Sequence, residues 1–125
     1  MRKLLLLLLV FTLASSIPLS AQVTAAQVWG AWELVKLEQN GRALDTDEIG
    51  SILRLHNDGS LIETGERVVR REKRYEIREN QLVVQPGTYA EEVYRLAKVR
   101  KNKLVLAVNQ NGQSATMYFK RHRGE

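Results

Sequence analysis

Between residues 31 and 121 apolar side chains recur at every second position, in runs too short for helices, with turn-forming residues between them. Leu53 and Leu55 form such a pair, as do Tyr75 and Ile77, Leu82 and Val84, and Met117 and Phe119; Leu104, Leu106 and Val108 form a triplet. A period of two puts these residues on one face of a strand. Arg74, Glu76 and Arg78 occupy the alternate positions of one run and read as a solvent face with paired charges. Turn chemistry falls at Asn57-Asp58-Gly59-Ser60, Thr64-Gly65, Glu79-Asn80, Pro86-Gly87, Lys101-Asn102-Lys103 and Asn109-Gln110-Asn111-Gly112. Asp-Gly and Asn-Gly accept the positive φ that tight hairpins need. The runs are 31–38, 50–57, 60–64, 67–71, 72–79, 81–85, 90–100, 103–109 and 113–121. Two of them merge in this reading, most readily 67–79 as one bent strand. The expected fold is all-β: an eight-stranded antiparallel up-and-down barrel, since closure removes exposed sheet edges. Residues 40–49 are the one long connection, and Asp45-Thr46-Asp47-Glu48 predicts a short helical turn there.

No cysteine is present, so no disulfide framework supports this fold and the core must hold by packing. The first residues have a different character. Arg2 and Lys3 precede an apolar run over 4–13, which Ala14, Ser15, Ser16, Ile17 and Pro18 break before Leu19-Ser20-Ala21. Positive, apolar and small-residue regions in that order read as a cleavable signal peptide, residues 1–21. The run is half the length a spanning helix needs, which is about twenty residues. The expectation is therefore an exported protein, periplasmic or extracellular, with one domain over 22–125 and no transmembrane segment after processing. Removing Arg2 and Lys3 leaves 17 basic residues against 14 acidic ones, a net +3 where the whole chain carries +5. So weak a basic balance gives no concentrated nucleic-acid face, and no nucleic-acid partner is expected.

Gly30-Ala31-Trp32 opens the first run, and Tyr118-Phe119-Lys120-Arg121 closes the last. Between them Leu53-Arg54-Leu55-His56-Asn57-Asp58-Gly59 is an apolar strand running into Asp-Gly, and a tyrosine-containing strand follows. In this order the motifs resemble the lipocalins and, more closely, short bacterial lipocalin-like domains. The resemblance extends over nearly all of 29–121. It implies that Arg121 packs across Trp32 and closes the barrel base. The chain departs from the larger family members in its length, its lack of disulfides and its lack of a long C-terminal helix.

An eight-stranded barrel is just wide enough to be filled by its own side chains or to hold one small ligand. The expected function is non-enzymatic binding of a small apolar or amphipathic ligand. The alternative is a solid-core interaction module that binds a protein or anionic glycan through its surface. The inward residues are mostly bulky, so little empty volume is expected. The predicted pocket is shallow and open at one end. Its expected ligand-binding residues are Lys36, Leu55, Tyr75, Tyr94 and Leu106, with the two tyrosine hydroxyls at the mouth. Lys36 shares the alternating face of Trp32 and Leu34, so it must lie at a wet rim or beyond a bulge. With Lys36 at the rim, the pocket would suit a small amphipathic anion. Trp29 is expected to plug the base.

Other chemistry has little support. His56 and His122 have no metal-ligand spacing, Ser51, Ser60 and Ser114 no nucleophile signature, and no cofactor is expected. Glu63, Glu66, Glu91 and Glu92 read as solvent-facing charge. The stretch Arg67, Arg70, Arg71, Lys73 and Arg74 is the sharpest local bias and would attract an anionic surface, although interleaved Glu66, Glu72, Glu76 and Glu79 read more simply as cross-strand pairing.

Overall fold

The computed structural model describes residues 23–65 and 70–123. The signal-peptide reading and Arg67 lie outside the described residues. One short helix, α1 (Ala25–Val28), precedes nine strands: β1 (Gly30–Gln39), β2 (Arg42–Ala43), β3 (Ile52–Leu55), β4 (Ser60–Thr64), β5 (Arg71–Arg78), β6 (Gln81–Val84), β7 (Glu92–Val99), β8 (Lys103–Gln110) and β9 (Gln113–Arg121). Every pairing is antiparallel: β1 pairs with β3, each strand from β3 to β8 pairs with the next, and β9 returns to β1. β2 is a two-residue edge on β1, so the remaining eight strands form the closed barrel.

Turn residues set the connections. Asn40 and Gly41 take φ of 51° and 82° between the paired Gln39 and Arg42, the geometry of a two-residue hairpin that matches strand twist. The following connection makes turns instead of a helix. Ile49 N–H donates to the Thr46 carbonyl (3.2 Å) and Ser51 N–H to that of Glu48 (3.0 Å). Thr46, and not Asp45, supplies the side-chain acceptor, taking the Glu48 N–H at 3.3 Å.

The core runs along the barrel axis and contains Leu53, Leu55, Tyr75, Leu82, Val84, Leu104, Leu106 and Phe119, with the partly buried Ile77 and Met117 packed against it. It also takes in Val28 and Leu61. β1 does not keep its alternation: its register with β9 shifts between Leu34 and Lys36. Leu34 pairs with Phe119 and Leu37 with Met117, so Lys36 falls opposite Tyr118 on the outer face. β7 shifts in the same way between Leu96 and Lys98, and Val99 then pairs with Leu104. Among the described residues no helix is long and apolar enough to cross a membrane.

Candidate functional site: an open cavity above a closed base

The two ends of the barrel differ. At one end Trp32 is fully buried, and its indole N–H donates to the Val28 carbonyl at 2.9 Å. The Arg121 guanidinium lies 3.9 Å from the Trp32 ring centre, within cation–π range. It is held there by two bonds, Nη1 to the Trp29 carbonyl (2.7 Å) and Nε to the Lys101 carbonyl (3.0 Å). Val28, not Trp29, plugs this end: Val28 is fully buried, whereas Trp29 is 41% exposed. The Gln27 side-chain carbonyl accepts the Thr24 N–H (2.7 Å) and fixes the start of α1. Asn80 accepts the Val23 N–H (2.7 Å) and ties the preceding segment to the β5–β6 turn.

The other end is open. A cavity of about 570 Å³ enters between the strands, a volume within the ordinary range for small-molecule sites. Leu34, Leu53, Leu61, Leu82, Val84, Leu106, Met117 and Phe119 make it apolar within, and Thr46, Asp47, Glu48, Ser51, Glu63, Arg71, Lys73, Glu92 and Tyr94 add polar groups. Lys73 Nζ stands between two carboxylates, 3.6 Å from Glu92 and 3.9 Å from Glu63. The Tyr94 hydroxyl donates to Glu92 at 2.9 Å. Burial first, and then that hydrogen bond, pushes the Tyr94 phenol well above its ordinary value of 10.0, so the group stays a neutral donor. The folded protein retains this proton after the unfolded chain has lost it. Stability is therefore expected to fall as pH rises past about 10 in thermal melts, and to fall less in Tyr94→Phe. The connection carrying Asp47 and Glu48 is pinned by Gly50 N–H to the Leu34 carbonyl (2.8 Å) and Leu34 N–H to the Ser51 carbonyl (2.9 Å).

Of the five ligand-binding residues expected from sequence, Tyr94 and Leu106 line this cavity. Leu55 and Tyr75 are buried but do not line it, and the Tyr75 hydroxyl donates to the His56 carbonyl (2.7 Å) beside the β3–β4 turn. Lys36 is on the outside, its side chain 51% exposed, 3.2 Å from Glu38 and 5.3 Å from the Tyr118 ring centre. The bulge in β1 is the cause. Tyr75→Phe is accordingly expected to cost about 1 kcal/mol. Lys36→Ala is expected to change stability by less than about 0.5 kcal/mol. Neither should alter occupancy of the cavity, and urea titration with a bound probe checks both.

The expectation of little empty volume is overturned. Near the mouth the inward positions go to Glu63, Lys73 and Glu92, long side chains that reach for water and leave the space beneath them open. The basic stretch does not share one face either. Arg71 and Lys73 line the cavity, Arg70 lies 3.4 Å from Glu72, and Arg74 donates to the Asp58 carbonyl (2.8 Å). Strand alternation divides them. Among the described residues no cluster of metal-ligating side chains occurs. Neither a protein-family model nor a curated protein matches the chain.

Proposed function

We propose that this chain is an exported, non-enzymatic binding protein whose open cavity takes one small apolar or amphipathic molecule. The cavity carries the reading: about 570 Å³ of space with an apolar floor and a polar, charged mouth, open at one end and underlain by the Trp32 closure. An apolar body displaces water from the leucine floor, and burial of apolar surface contributes about 25 cal/mol per Å² before the costs of association. Tyr94 and the mouth charges meet the ligand's polar end. Export follows from the N-terminal order of charge, apolar run and small residues, and intact mass of secreted protein beginning at Gln22 checks it.

Binding is tested by fluorescence titration with N-phenyl-1-naphthylamine, a neutral apolar probe. The wild type is expected to show saturable enhancement. Ser51→Trp, which sets a ring in the mouth from a loop position, is expected to weaken it at least about tenfold, or about 1.4 kcal/mol. Equal binding by both proteins, or none by either, favours an interaction module that works through its outer surface.

A further inference from the structure

We propose that the cavity mouth selects a positively charged head group, so that the ligand is an amphipathic organic cation such as a long-chain amine. This deepens the reading of the cavity as a binding site and rests on it. The cavity is the site; the charges around it choose the head group. Asp47 and Glu48 approach from the β2–β3 connection, Glu63 from β4 and Glu92 from β7, against Arg71 and Lys73 from β5. Asp47 has an interaction of its own; without it, three carboxylates stand against two cations, a net charge of −1.

Lys73 is already engaged. Its ammonium lies within 4 Å of both Glu63 and Glu92, and its side chain is only 20% exposed. An arriving anion would have to draw Lys73 away from two carboxylates or settle on Arg71, and in either place would share the mouth with Glu48. An arriving ammonium finds acceptors instead: the lone pairs of Glu92 and Glu63 that Lys73 and Tyr94 leave open, and the Tyr94 oxygen, which donates its proton to Glu92. Low-dielectric walls concentrate the field of the excess carboxylate charge in the concavity, which favours a cation entering it. The lysine that would have opposed this, Lys36, is on the outer face.

The experiment displaces bound N-phenyl-1-naphthylamine with decylammonium, decanol and decanoate, each below its micelle concentration. Decylammonium is expected to displace the probe at about tenfold lower concentration than decanoate, about 1.4 kcal/mol, with decanol between them. The gap should narrow at high salt. It should narrow again in Glu92→Gln, which keeps an acceptor for Tyr94, and in Glu48→Gln on the pinned loop. Displacement by all three at equal concentration, or by decanoate first, overturns the cation preference and leaves the binding site standing. A probe that never binds, or that none of the three displaces, overturns both.

Discussion

Trp32→Ala is expected to remove about 3–5 kcal/mol of stability, the usual range for truncating a large aromatic in a core. Three losses coincide. The fully buried ring leaves a cavity at the closed end, the Val28 carbonyl loses its indole donor, and the Arg121 guanidinium loses the face it covers. Domains of this size have a total stability of about 5–15 kcal/mol, so the variant should sit close to its folding limit. Urea denaturation reads the effect as a lower midpoint with an unchanged slope. A loss below about 1 kcal/mol would mean that the barrel is not closed by this residue.

Gly30→Ala is the second large effect, about 1–3 kcal/mol. Gly30 has φ of +122°, where a side chain is strained. A Cβ there would also stand 2.5 Å from Arg121 Nη1. That nitrogen is the end of a flexible chain and can withdraw, but only by leaving the Trp29 carbonyl. The glycine two residues before the tryptophan is thus required both for its backbone conformation and as the space for the arginine. The two causes separate in a double-mutant cycle. Combined with Arg121→Ala, the alanine should cost less than it does alone, because only the backbone part remains. Full additivity would show that the close approach contributes nothing.

How much of this was legible in the sequence varies along the barrel. The period-two runs and turn dipeptides predict the strands and the inward faces, because alternation and positive φ are local properties. Trp32 and Arg121 as a closing pair came from resemblance to a family pattern, and their 3.9 Å separation fits it. Two features were not settled by the sequence. A charged Lys36 on an inward face allows either a wet rim or a bulge, and the bulge at Val35 that moves it to the outer face depends on the register between β1 and β9, a long-range property. Val28 is buried because α1 folds under the barrel, which no periodicity announces.

The mouth was readable in principle. Glu63 lies two residues after Leu61, Lys73 two before Tyr75 and Glu92 two before Tyr94, so each extends an inward apolar face by one period. Antiparallel order brings the three to the same end, and Lys73 touches both glutamates. Charge that continues an inward face past its last apolar residue marks the wet end of a barrel, because a buried unpaired charge is too costly to sit deeper.

Nuclear Overhauser contacts between decylammonium and methyl-labelled protein test the binding account most directly. Contacts are expected from the alkyl chain to the methyl groups of Leu34, Leu53, Leu82, Val84, Leu106 and Met117, and none to Val28 or Leu55 at the closed end. Contacts confined to Val35, Leu44, Ile49 and Val93, which are exposed apolar residues on the surface, would contradict it.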